Sequence, residues 1–168
     1  LHDRVDHRTI GCPNPESAGF KKAFPGFWNK EEETKINFSK KTTTFAVAAQ
    51  FKNEAIILSE WIEHYIDEGC SHFFLINNNS TDNFLSILGP YIQKGLITLF
   101  SNPTQRRQVI NLNVFVLPLA HLYTFIVPVD LDEFIYGRNK YENILSYLSN
   151  VSDCVDAIVI PSKNFGTN

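Results

Sequence analysis

Tyr123-Thr124-Phe125-Ile126-Val127-Pro128-Val129-Asp130-Leu131-Asp132-Glu133-Phe134 is the stretch on which the fold reading turns. Tyr123 to Val129 has the composition of a buried strand, and three acids follow it within four residues. In extended backbone, residues two apart point the same way. Asp130 and Asp132 would then present two carboxylates to one ion, while Leu131 points into the protein. Hard divalent cations such as Mg²⁺ and Mn²⁺ take oxygen ligands, and Mg²⁺ uses one or two carboxylates plus phosphate oxygens. At a strand end such a pair holds a metal against a diphosphate and offsets charge that develops there. The plainer reading is a turn with solvated acids. Three acids so close together repel one another unless something positive is near.

Working outward, apolar runs and amphipathic segments alternate. Thr44 to Phe51 reads as a buried strand and Ala55 to Glu68 as a helix. In that helix Ile57, Trp61 and Tyr65 recur every four residues on one face, flanked by Leu58, Ile62 and Ile66. Asn53 can cap its start and Gly69 can end it. His72 to Ile76 is a second strand. Asn83 to Lys94 is a second helix, capped by Asp82 or Thr81 and broken or kinked at Gly89-Pro90. Leu96 to Phe100 is a third strand, Gln108 to Leu122 a helix carrying Pro118, and Tyr123 to Val129 the fourth strand. Tyr141 to Leu148 reads as a further helix and Ala157 to Ile160 as a fifth strand. Pro128 lacks an amide donor, which marks a bulge or an edge. The alternation predicts an α/β domain with a mainly parallel sheet, helices on both faces and right-handed crossovers. Ligands in such sheets bind at the carboxyl ends of the strands.

Residues 1–43 lack this regularity. Prolines at 13, 15 and 25 and the run Lys30-Glu31-Glu32-Glu33 mark an irregular lead-in, with Phe24-Pro25-Gly26-Phe27-Trp28 expected to pack on the domain. The domain proper is residues 44–168. The chain of 168 residues is 43% hydrophobic and 20% charged, enough for one core of ordinary composition. A net charge of -3 gives no basic footprint, so nucleic acid is not an expected partner. No apolar run reaches the roughly 20 residues that span a bilayer. Cys12, Cys70 and Cys154 show neither CxxC spacing nor paired histidines, which argues against zinc, and at least two are expected to be plain thiols. There is no P-loop, no GxGxxG and no Ser-His-Asp or Cys-His arrangement. The histidines receive no role.

Two weaker signals also sit after strands. Lys52-Asn53-Glu54 opens a helix whose first amides favour anions or polar heterocycles, although an Asn cap with a first-turn acid would look the same. Asn77-Asn78-Asn79-Ser80-Thr81-Asp82 can supply amides and a carboxylate to a base or ribose, or can be only a turn and a cap. Gln108 opens the third helix with Arg106 and Arg107 before it; arginines there could meet a diphosphate or lie in a solvated turn.

Together and in this order, Lys52-Asn53-Glu54, Glu60-Trp61-Ile62, Gly69, Asn78 to Asp82, Gln108, Asp130 to Phe134 and Phe165-Gly166 resemble glycosyltransferase family 92 and its family-2-like relatives. The resemblance covers residues 44–168. It implies a GT-A-type, Rossmann-like fold, a uridine-diphosphate sugar donor, Mn²⁺ or Mg²⁺, and transfer of a hexose, often galactose, to a glycan or glycoconjugate hydroxyl with inversion. It implies that Lys52, Asn53 and Glu54 lie near the nucleotide and that Asn77, Asn79 and Asp82 flank uracil and ribose. Gln108 joins the donor site. Asp130 and Asp132 face the metal and Asp130 the donor. Asn77 departs from the family's usual Asp, and residues between Gln108 and Asp130 match poorly. The sheet is expected to be cut short at its C-terminal end, with the catalytic base supplied from beyond Asn168. Two other classes stay open at this point. A haloacid-dehalogenase-like phosphatase also uses Asp-x-Asp, but on its first strand and followed by Thr or Ser. A non-catalytic descendant could keep donor binding without transfer.

Overall fold

The structure, a computed structural model, describes residues 42–104, 107–152 and 154–161. The lead-in, Arg106 and Phe165-Gly166 fall outside the described residues. Residues 41–150 form one compact unit by their contacts.

Four strands alternate with helices: β1 (Phe45–Phe51), α1 (Ala55–Asp67), β2 (His72–Asn77), α2 (Phe84–Gln93), β3 (Ile97–Ser101), α3 (Gln108–Asn111), β4 (Phe125–Pro128) and α4 (Ile144–Leu148). The sheet has the order β3-β2-β1-β4, and all three pairings are parallel. The expected α/β fold with a parallel, Rossmann-like sheet is therefore what forms. From β1 the chain winds to β2 and β3 on one side, then crosses to place β4 on the other side. The topological switch lies between the carboxyl ends of β1 and β4, where open parallel sheets take their ligands.

The centre of the sheet is apolar on both faces because helices cover both. Ala46, Ala48, Phe74 and Ile76 point to one face and cluster with Val116, with Leu112, Phe115 and Leu119 packed around them. The two alanines leave room for that segment to approach. Phe73 meets Trp61 of α1 on the other face, ring centroids 5.8 Å apart, and Phe51 meets Phe84 of α2 at 5.3 Å. Leu58, Trp61, Ile62 and Tyr65 have no exposed surface. Gly69 ends α1 at φ 88, and the bonds Gly69 N to Ile66 O and Cys70 N to Tyr65 O close a Schellman motif. A Cβ on Gly69 would stand 2.6 Å from Leu145 Cβ, so only glycine suits both the turn and the packing.

Several sequence expectations need correction. Ala157 to Ile160 forms no strand, and Val159 is 93% exposed. The helix expected from Gln108 to Leu122 changes character twice, into a π-helix at Leu112–Val116 and a 3₁₀-helix at Leu117–Leu122. Pro118, at the start of the 3₁₀ turn, cannot donate an α-helical bond, which accounts for the second change. Helix α2 runs through Gly89-Pro90 without breaking. Gly89 has no Cβ to clash with the proline ring. The last helix begins at Ile144, where Asn143 and Ser146 form a capping box, not at Tyr141. Pro128 pairs opposite Ala48 at the end of β4, the outer strand of the described sheet, so its missing donor marks an edge. Cys70 is a buried free thiol, pushed up to about 12 by burial, whereas Cys154 is disulfide-bonded. Cys12 lies outside the described residues. No helix among the described residues is long and apolar enough to cross a membrane.

His72 gives the fold a defined pH response. Its Nε2 lies 2.9 Å from Thr98 Oγ1 and its ring stacks on Tyr123, and burial lowers its pKa. The unfolded chain takes up that proton near pH 6.5. The unfolded state thus binds more protons, and this contribution to stability is complete above about pH 6.5 and lost as pH falls below it. The melting temperature should drop between pH 7.5 and pH 5.5, and drop less in His72→Gln. Equal losses in both proteins would show that His72 carries none of the effect.

Candidate functional site

The acidic stretch after β4 is a turn, not extended chain. Glu133 N donates to Asp130 O at 3.1 Å, and the Glu133 carboxylate folds back to accept from Asp130 N at 3.1 Å. The alternation expected for Asp130 and Asp132 is therefore corrected. Their separation from Leu131 holds nonetheless: Leu131 is 5% exposed, while Asp130, Asp132 and Glu133 face solvent.

Helix α1 fixes this turn. Trp61, His64, Tyr65 and Glu68 lie one helical turn apart on the same side, the spacing that lines up side chains. Trp61 Nε1 donates to Asp130 O at 3.2 Å. The Tyr65 hydroxyl donates to Glu133 O at 3.0 Å and accepts from Ile135 N at 3.2 Å. His64 Nε2 is 2.7 Å from Ile135 O, and its ring packs edge-on to Phe134. Glu68 Oε2 accepts from Gly137 N at 3.0 Å and from Ile144 N at 2.7 Å. Burial pushes the Tyr65 phenol up to about 12, so it stays protonated and keeps donating. A Cβ on Gly137 would lie 2.7 Å from the Asn143 backbone, so a larger residue there would force the loop off its anchor. None of these four side chains, three on α1 and Glu68 at its C-cap, was expected at the site. The signal that could have found them is the Trp and Tyr tips on a buried stripe, since such tips require partners.

The Asp130 carboxylate meets α3: Gln108 Nε2 donates to its Oδ1 at 2.5 Å. Gln108 thus stands beside the acid as expected. A cavity of about 430 Å³ opens here, lined by Gln50 of β1 and by Arg107, Gln108, Val109 and Ile110. Arg107 supplies a cation to a cavity that borders an acid. Among the described residues no group of three or more His, Cys, Asp or Glu could hold a metal. An ion at this turn would therefore take at most two carboxylates from the described chain. Asp130 and Asp132 are both exposed at the turn.

The loops after β1 and β2 come together as a second cluster. Asn53 N donates to Ser80 Oγ at 3.0 Å, and Asn53 Oδ1 accepts from Thr81 N at 2.8 Å. Asp82 Oδ2 accepts from Ala55 N at 2.8 Å, so Asp82 supplies the α1 cap that Asn53 was expected to give. It does not cap α2, whose N-cap is Asn83 without a side-chain bond. Asn53 and Asn79 have φ of 58 and 62, a left-handed backbone that asparagine tolerates better than most residues. Asn77 Oδ1 accepts from Ser80 N at 2.8 Å, a local turn. Lys52, Glu54 and Asn79 are exposed. A groove of about 630 Å³ follows the seam, with Asn53, Ser59 and Asp82 on its walls. Asp82 Oδ1 is buried there with no hydrogen-bond partner. The sequence-predicted residues thus form two groups, one at the β1–β2 seam and one at the β1–β4 switch.

The clamp is open to test. Tyr65→Phe removes only the hydroxyl and leaves Glu133 O and Ile135 N without it, at a cost of about 1–3 kcal/mol. Thermal unfolding should show that loss, and amide exchange across residues 130–137 should speed up. Exchange as slow as in the parent protein would mean that Tyr65 does not hold the turn.

Against known proteins, the family model for Glycosyltransferase family 92 matches residues 41–164. No curated protein matches the chain.

Proposed function

The chain belongs to glycosyltransferase family 92 and is a glycosyltransferase, and we propose that it moves a hexose from a uridine-diphosphate sugar to a hydroxyl of a glycan or glycoconjugate, with inversion and with Mn²⁺ or Mg²⁺. Membership implies a sugar donor and a glycan acceptor. The observation that supports the finer reading is the Asp130 to Glu133 turn, anchored by Trp61 and Tyr65 at the end of β4 and beside a cavity that Arg107 borders. A phosphatase would need its acids after the first strand; these follow the fourth.

In this reading the donor lies across the carboxyl ends of the strands. Its nucleotide sits near Lys52, Asn53 and Glu54 and the loop Asn77 to Asp82, where Asp82 Oδ1 is an acceptor without a donor. Its diphosphate lies toward Arg107, Asp130 and Asp132. Bound there, the cation offsets the negative charge that the leaving diphosphate gains. Gln108 holds one oxygen of Asp130 and so fixes the direction of the other. A base from outside the described residues takes the proton of the acceptor hydroxyl; its oxygen bonds to the anomeric carbon as the bond to the diphosphate oxygen breaks, and the diphosphate oxygen leaves with the electron pair. Transfer requires the two oxygens to be in line, so most of the protein's work is positioning.

Calorimetry with uridine diphosphate, with and without Mn²⁺, tests the assignment. Mn²⁺ should tighten nucleotide binding about tenfold or more in the parent protein, because phosphate oxygens complete the ion's shell. Asp132→Asn should abolish most of that gain. An equal Mn²⁺ effect in the variant would remove the acidic turn from the metal site.

A further inference from the structure

A chain of amide side chains runs from the β3 end to the cavity at the switch point, and one backbone group sets its direction. Thr104 N–H can only donate, and it donates to Asn102 Oδ1 at 3.0 Å. Asn102 must therefore turn its Nδ2 away, and this group donates to Asn111 Oδ1 at 2.8 Å. Asn111 is 1% exposed and has its other end fixed in turn: its Nδ2 donates to Gln50 Oε1 at 2.6 Å. Asn78, itself buried, braces the start of the chain by donating to Asn102 O at 2.7 Å and Thr104 O at 2.9 Å. Gln50 lies in β1, one residue before its end, and lines the cavity with Arg107 and Gln108. With Oε1 committed to Asn111, the Nε2 of Gln50 is the end left for a ligand.

A buried asparagine that satisfies both ends of its amide gives the chain one orientation, since reversing any member would set two donors or two acceptors against each other. Gln108 is aimed in the same way, because a carboxylate only accepts and Asp130 takes its Nε2. Gln50 thus offers a donor and Gln108 an acceptor to a cavity that also holds a guanidinium.

We propose that Gln50 is a donor-sugar-binding residue whose amide N–H, aimed by Asn102 and Asn111, takes an acceptor oxygen of the hexosyl diphosphate. This rests on the reading of the site as a nucleotide-sugar site. Asn102 and Asn111 touch no substrate and act as positioning residues. The relay has a consequence that a merely structural role lacks. In Asn102→Asp both side-chain oxygens accept. Thr104 N keeps its bond, Asn111 reverses to donate to the new carboxylate, and Gln50 reverses to donate to Asn111. The end that faces the cavity is then an oxygen, which repels the oxygen it should bind.

Calorimetry with uridine-diphosphate galactose and Mn²⁺ on the full-length protein decides the matter, with melting temperatures alongside. Gln50→Met, a neutral change, should weaken binding about tenfold or more. Asn102→Asp should do the same from outside the cavity, and Asn113→Asp, exposed on the neighbouring π-helix, serves as the charge control and should stay within twofold. Uridine diphosphate alone then locates the contact. Loss with both ligands places it on the diphosphate, and loss only with the sugar nucleotide places it on the hexose. Binding within twofold of the parent in Gln50→Met, or in Asn102→Asp no weaker than in Asn113→Asp, overturns the proposal while the donor site stands. Should Gln50→Met fail to fold, Asn102→Asp decides. Absence of any nucleotide-sugar binding by the parent protein would overturn the donor reading and this inference with it.

Discussion

Two buried polar tips on one helix govern the rest of the site. Trp61 and Tyr65 have no exposed surface, and their N–H and O–H end under the loop that follows β4. Leaving either group unpaired in the core would cost about 1–3 kcal/mol. Asp130 O, Glu133 O and Ile135 N meet that need, so the acidic turn is held by its backbone while its carboxylates stay outside. Packing and chemistry are thereby separated. The rings of Trp61 and Tyr65, 4.9 Å apart, belong to the core, and the charges they position belong to the surface.

Sheet topology supplies the other half of the arrangement. Because β1 is central, its end borders both β2 and β4. The β1–β2 side is stitched by Asn53, Ser80, Thr81 and Asp82 into a narrow polar seam. At the β1–β4 side a cavity is lined by Gln50, Arg107 and Gln108, the last bonded to the Asp130 carboxylate. One side is suited to a planar, hydrogen-bonding group and the other to a charged one. The proposed nucleotide-sugar donor has both, a planar base at one end and a charged diphosphate between its ribose and its hexose.

Much of this architecture was legible in the residues because period and punctuation were clean. The helix after β1 was readable from Trp61, Tyr65 and their neighbours, and the strands from their apolar runs. What failed depended on partners that sequence does not display. Ala157 to Ile160 had strand composition but takes no strand conformation. Asn53 had the chemistry of a cap, but the bond to Ala55 N came from Asp82, 27 residues beyond Ala55. Asp130 and Asp132 were read as flanking residues of an extended chain, whereas Glu133 closes a turn over them. The site suffered similarly. Its acids and Gln108 were visible as residue types, but Gln50, Asn102 and Asn111 are scattered along the chain and gain meaning only through the direction of their amides. His64 and Glu68 carried no signal in the sequence, and their role comes from the loop that lies against them.

The central claim is that the helix-anchored turn and the switch-point cavity form one donor site. A crystal structure with uridine-diphosphate galactose and manganese, with anomalous data collected at the manganese edge, tests it most directly. The account predicts one anomalous peak about 2.0–2.6 Å from carboxylate oxygens of Asp130 and Asp132, the range of hard-cation ligands. It predicts the diphosphate beside that peak and the hexose reaching Gln50. A diphosphate found with its metal away from both aspartates would contradict it.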